Sequence, residues 1–115
     1  MSATVQFRLR IYQNEAIAIG PGKVALLEAI ARTGSISAAA RELGMSYRRA
    51  WMLIDETNRG LKSPAVHTAA GGAQGGGTHL TPVGEALVRH YRDIERTAHA
   101  AAARQIRALT QLLAD

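Results

Sequence analysis

The run Gly34-Ser35-Ile36-Ser37-Ala38-Ala39-Ala40-Arg41-Glu42-Leu43-Gly44-Met45-Ser46-Tyr47-Arg48-Arg49-Ala50-Trp51 constrains the fold more than any other part of the chain. Ile36, Ala39, Ala40 and Leu43 recur at helical spacing, so residues 36–43 predict a short helix with one apolar face. Ser35 or Ser37 can cap it, because a serine oxygen accepts from the free amides of a first helical turn. Gly44 ends it, and Ser46 caps a third helix running to about Asn58, with Gly60 beyond. The alanines let a neighbouring helix approach closely. A short helix, a glycine turn and a longer helix that opens on polar residues make a helix-turn-helix.

The flanks agree with that reading. Residues 23–33 predict a first helix, with Leu26, Leu27, Ile30 and Ala31 on one face and Gly34 suited to the left-handed position just past its end. Ala50, Leu53, Ile54 and Thr57 are spaced to pack the third helix on the first two. After Ser63-Pro64, residues 65–70 and Thr78-His79-Leu80 read as two short strands around a glycine-rich tip, which is a wing.

The two ends carry different periods. Residues 4–12 alternate, with Val5, Phe7, Leu9 and Ile11 opposite Gln6, Arg8, Arg10 and Tyr12, which predicts a half-buried strand. Gln13-Asn14-Glu15 is a turn, residues 16–19 can return as a second strand, and Gly20-Pro21-Gly22 breaks the chain. Thr81 and Pro82 open a final helix well, with Glu85 in its first turn, and nothing breaks the pattern before about Leu113. Such a helix would span roughly 45 Å. Val83, Leu87, Tyr91, Ile94, Ala98, Ala102, Ile106, Leu109 and Leu113 form an apolar stripe along it. A small domain cannot cover that whole stripe, and a second copy is the simplest cover. The expected dimer surface is therefore Leu87, Tyr91, Ile94, Ala98, Ile106, Leu109 and Leu113, with Val5, Phe7 and Leu9 from the first strand.

The expected fold is mainly α with small β: a winged helix-turn-helix with an N-terminal strand or hairpin and a long C-terminal dimerisation helix. Residues 1–81 form the DNA-binding domain, with the hairpin at 1–21, the helix-turn-helix at 34–59 and the wing at 64–81; residues 82–115 form the dimerisation helix. A length of 115 residues suits one domain with one appended helix.

Double-stranded DNA is the expected partner. In such units the third helix enters the major groove with its N-terminal residues at the base edges. Ser46, Tyr47, Arg48, Arg49 and Met52 occupy that stretch, and arginine can donate two parallel hydrogen bonds to guanine or pair with phosphate. In the wing, Thr68, Gly71, Gly72, Gln74, Gly75, Gly76 and Thr78 are the expected contacts, since glycines let backbone amides approach a phosphate or the minor groove. Trp51 can stack at the DNA surface or pack against the domain or the wing, and packing is the expectation. Helix-turn-helix spacing also arises in proteins that bind no DNA, and the wing is the independent support. The net charge of +5, from 14 Lys and Arg against 9 Asp and Glu, adds a little more.

Other chemistries find little purchase. The glycine tip lacks the Lys-Ser/Thr of a phosphate-binding loop and lies between strands. The chain has no cysteine, which removes thiolate sites and disulfides. His67 and His79 can lie near each other on the hairpin, where a two-ligand site is conceivable but plain surface histidines are the expectation; no cofactor or metal is expected. No catalytic constellation stands out, so an enzyme is not expected. No apolar run reaches the ~18 residues of a membrane span, and a cytoplasmic protein is the expectation.

At Gly20-Pro21-Gly22-Lys23, Leu26-Leu27-Glu28-Ala29-Ile30, Gly34-Ser35-Ile36-Ser37, Ala39-Ala40, residues 44–51 and Leu80-Thr81-Pro82, the chain resembles the N-terminal DNA-binding domain of the ModE-type molybdate-responsive regulators. More distantly it resembles the LysR-type winged helix. The resemblance covers about residues 5–95 and implies a prokaryotic dimeric transcription factor on a palindromic operator. It also implies that Ser46, Tyr47, Arg48 and Arg49 begin the recognition helix. Two departures stand out. Wings of this family often carry a basic residue in the tip, where Ala73-Gln74 stand here. Full-length members carry C-terminal oxyanion-binding domains that nothing here matches, so molybdate binding is not expected of this chain, and a short regulator and a piece of a longer one both stay open. The alternative reading is a winged-helix module that binds a protein partner without sequence-specific DNA binding.

Overall fold

The computed structural model describes residues 3–69 and 77–114. Three helices form its centre: α1 (Pro21–Thr33), α2 (Ile36–Glu42) and α3 (Tyr47–Gly60). The first starts two residues earlier than its apolar pattern suggests. Proline needs no amide partner in a first turn, and the Gly20 carbonyl accepts from Val24 N at 3.0 Å. Gly34 closes α1 in the left-handed region (φ 71°), its amide donating to Ile30 O at 2.8 Å. The Ser35 side chain caps α2 by accepting from Ala38 N at 3.1 Å. Gly44 (φ 69°) turns the chain into α3, which Ser46 caps. The core that results joins Leu26, Leu27 and Ile30 to Ile36, Ala39 and Ala40 of α2 and Ala50 and Ile54 of α3. Each fully buried Leu or Ile contributes about 1.5–3 kcal/mol of transfer free energy.

Strands β3 (Val66–Thr68) and β4 (Thr78–Leu80) pair antiparallel, with Val66 opposite Leu80, His67 opposite His79 and Thr68 opposite Thr78. Val66 and Thr78 are buried, while His67 and His79 face water. The hairpin is pinned to the end of α3 by Asn58. Its Oδ1 accepts from Ala65 N at 2.9 Å and Val66 N at 3.1 Å, and its Nδ2 donates to Val66 O. The expected contacts Gly71, Gly72, Gln74, Gly75 and Gly76 lie outside the described residues.

The N-terminal strand is shorter than expected. Only β1 (Ile11–Gln13) pairs, antiparallel with β2 (Ala16–Ile19), through a turn at Asn14 and Glu15, both left-handed (φ 52° and 68°). Residues 3–10 carry no strand, because β2 ends at Ile19, opposite Ile11, and offers them no edge. They lie instead on α4 (Pro82–Ala101). Tyr91 Oη donates to Leu9 O at 2.8 Å, and the Phe7 ring meets His99 edge-on at 4.6 Å. The alternation survives only in the middle of the segment: Phe7 and Leu9 are half-buried and Gln6, Arg8 and Arg10 exposed, but Val5 and Ile11, expected on the covered side, are exposed too.

The final helix is also corrected. It is divided at Ala102 into α4 and α5 (Ala103–Thr110) and stops short of Leu113. Ala102 departs from helical angles (φ −100°, ψ 7°), yet Ala102 N still reaches Ala98 O at 3.0 Å and Ile106 N reaches Ala102 O at 2.9 Å, so the axis is dented rather than broken. The four alanines 100–103 bring only methyl groups to that joint. Beyond Thr110 the bonds tighten to a span of three residues, Leu112 N to Leu109 O and Leu113 N to Thr110 O, which ends the α-helix. A fork of hydrogen bonds ties α4 to α1: Arg92 Nε and Nη2 donate to Glu28 at 2.9 and 2.5 Å. Those bonds hold the Glu28 carboxyl below its ordinary pKa and the Arg92 guanidinium above its own. Among the described residues no helix is long and apolar enough to cross a membrane.

Candidate nucleic-acid interface

The capped start of α3 presents its polar residues outward. Ser46 Oγ accepts from Arg49 N at 3.0 Å, which fixes where the helix begins. Ala50, Ile54 and Thr57 are buried on one side. Around the rest of the helix surface Tyr47 is 54% exposed, Trp51 51% and Met52 46%, and Arg48 and Arg49 are exposed as well. Trp51 is thus only half covered by the domain: position 51 falls on the flank of the helix, three residues from buried Ile54.

Charge is distributed unevenly along this face. Among the described residues neither Arg48 nor Arg49 enters an ion pair, while further along Asp55 pairs with Arg59 (2.9 Å) and Glu56 with Lys23 (3.6 Å). The two carboxylates are thereby partly neutralised, and the free positive charge sits at the helix start, where exposed amides also favour anions. Arg48, Trp51, Met52, Asp55, Glu56 and Arg59 line a shallow depression of about 460 Å³ on this side.

A second depression, of about 220 Å³, separates α3 from the wing; Tyr47, Ser35, Ser37, Thr68 and Ala69 line it. The wing is docked there by Thr78 N donating to Gly34 O at 3.1 Å. Of the two wing threonines, Thr68 is exposed, whereas Thr78 is buried, with its hydroxyl 3.4 Å from that of Thr68. Ser46, Tyr47, Arg48, Arg49 and Met52 are thus all exposed over the first turns of α3, Tyr47 alone of them shares the notch with Thr68, and Thr78 is turned inward. Sequence reasoning left out Asn58 and Gly84, which set where the wing stands. A polar residue in the last turn before Ser63-Pro64, and a glycine three residues after the Thr81 cap, were the available signals. Ser37, a cap candidate in the sequence, lies at the notch instead, and Ser35 is the cap.

The expected dimer surface divides. Tyr91 is buried inside the molecule, and burial raises its hydroxyl pKa. Leu87 is half-buried against the core. Ile94, Leu109 and Leu113 remain exposed, and Leu9, Ile11, Ile19, Val83, Leu87 and Ile94 line an apolar groove of about 330 Å³. Val5 is exposed, while Phe7, Ala98 and Ile106 are half-buried.

Comparison with known proteins matches this arrangement. Residues 22–85 match the family described as bacterial regulatory helix-turn-helix protein, LysR family. The chain is 49% identical over 85 residues to the molybdenum-pterin-binding protein MopB of Rhodobacter capsulatus, covering 74% of this chain and 32% of that protein. It is 42% identical over 88 residues to the molybdenum transport protein ModE of Azotobacter vinelandii, covering 76% and 33%. It is 37% identical over 91 residues to the DNA-binding transcriptional dual regulator ModE of Escherichia coli K12, covering 79% and 34%. The chain spans about a third of the length of these relatives. With the three-helix unit, its wing and this match in register, the chain belongs to the bacterial helix-turn-helix regulators of the LysR family, a family of DNA-binding transcriptional regulators.

Proposed function

We propose that the chain acts as a homodimer that binds a palindromic operator sequence-specifically, with α3 in the major groove. The observation that carries this reading is the pair Arg48 and Arg49, exposed and outside every described ion pair, at the capped start of α3 beside the wing. Tyr47, Trp51 and Met52 supply apolar contact for base methyl groups and sugars. Ser35, Ser37 and Thr68 line a notch that suits a backbone phosphate. Exposed Leu109 of α5, with Leu112 and Leu113 just beyond it, supports pairing with a second copy, which would set two α3 helices into successive grooves roughly 34 Å apart. The molybdenum chemistry in the relatives' names belongs to proteins of which this chain spans about a third, and we assign none of it to these residues.

Selection from a random duplex pool, followed by titration at several salt concentrations, tests the proposal. The expected result is an enriched, two-fold symmetric site. Arg48→Ala with Arg49→Ala should weaken binding to it and lower the salt slope by about two. An unchanged slope and affinity would remove the arginines from the interface. A pool with no enrichment would favour the competing reading, a protein-binding winged helix that uses the exposed apolar end of α5.

A further inference from the structure

The outer face of the wing carries a pair of side chains that the DNA-binding reading does not use. His67 of β3 and His79 of β4 stand directly opposite each other in the ladder. Directly opposed residues bring their Cβ atoms to about 4.5–5.5 Å, so both rings are presented from one short, hydrogen-bonded stem. Their neighbours Val66, Thr78 and Leu80 turn toward the body, so both histidines are left on the water side, and both are exposed. The ring centroids lie 5.4 Å apart at an interplanar angle of 62°.

That spacing, although ordinary for an edge-to-face ring pair, also fits two imidazoles sharing one metal ion. A zinc–imidazole bond of about 2.0–2.1 Å puts a ring centroid about 3.2 Å from the ion, so two rings at a roughly tetrahedral angle have centroids about 5.2 Å apart. We propose that His67 and His79 form a two-histidine site for a divalent transition metal at the stem of the wing. Imidazole nitrogen selects the zinc, nickel and copper class over magnesium or calcium, which prefer oxygen. Among the described residues no group of three or more His, Cys, Asp or Glu gathers around one point, so water completes the coordination. A bound ion cross-links β3 to β4 and places two positive charges beside the wing. The site stands on the wing's own geometry and is independent of the proposed DNA complex.

Calorimetric titration of the full chain with zinc chloride tests the site, with circular dichroism as the folding control. One saturable zinc per chain is expected. His67→Ala and His79→Ala should each weaken it by about tenfold or more, since loss of even an outer-shell partner costs 10–100-fold. His90→Ala, on the exposed side of α4, should leave it unchanged. In histidine-ring NMR spectra, zinc should shift the two wing imidazoles together. Absence of saturable binding, unchanged affinity in either wing variant, or a shift of one ring alone would overturn the proposal.

Discussion

A side chain at position 84 would run into the Ala65 carbonyl oxygen, and Ala65 is fully buried where the chain leaves α3 for the wing. The same carbonyl accepts from Thr81 N at 2.9 Å, and Thr81 Oγ1 donates to Pro64 O at 2.6 Å. Gly84 therefore lets the start of α4 lie directly on Ala65, whose amide Asn58 holds. Gly84→Ala is expected to destabilise the fold by about 1–3 kcal/mol, read as a lower denaturant midpoint, even though alanine is the better helix former. A variant as stable as the parent would mean that the Ala65 segment yields easily. Contacts of this kind are poorly legible in sequence. The caps at Ser46 and Thr81 depend only on residues within one turn, and both were readable. The roles of Gly84 and Asn58 depend on segments that meet only after the chain has folded.

At the scale of elements, periodicity located each helix of the central unit, because each buries a face against its neighbours and little else competes. It misled where burial does not require hydrogen bonding: residues 4–12 alternate as a strand does, yet an extended segment on α4 satisfies the middle of that pattern. The tie between α1 and α4 was equally hidden, since Glu28 and Arg92 are far apart in sequence and each looks like a solvated surface residue. The Arg92 hydrogen bonds lower the Glu28 pKa against an opposing push from burial. A carboxyl with a depressed folded pKa stabilises the fold fully above its unfolded value, near 4.5, and loses that contribution as pH falls through the folded value. Glu28→Gln should therefore lower the melting temperature at neutral pH, by the equivalent of about 1 kcal/mol after allowance for solvent screening. The gap between variant and parent should close as pH drops below 4.5. A gap that is independent of pH would assign the loss to packing.

At the scale of the whole molecule, the longest dimension is 58 Å against 31 and 23 Å across, and α5 has no buried residue. The leucines at and just beyond its end are among the most exposed apolar side chains described: Leu109 at 66%, Leu112 at 80% and Leu113 at 60%. Grouped exposed leucines of this kind suit an interaction surface. The groove beside Leu9 and Ile94 offers a second apolar surface nearer the body, so a paired assembly has two places to bury area. Leu109→Asp combined with Leu113→Asp separates them. Because neither leucine supports the core, the monomer fold should be retained. Two carboxylates introduced into a dimer seam should weaken association by about 100-fold or more. Sedimentation velocity should then show a dimer for the parent and a monomer for the variant, and affinity for a two-fold symmetric site should fall with it. A variant that stays dimeric would move the seam from α5 to the groove, where Ile94→Asp becomes the corresponding lesion.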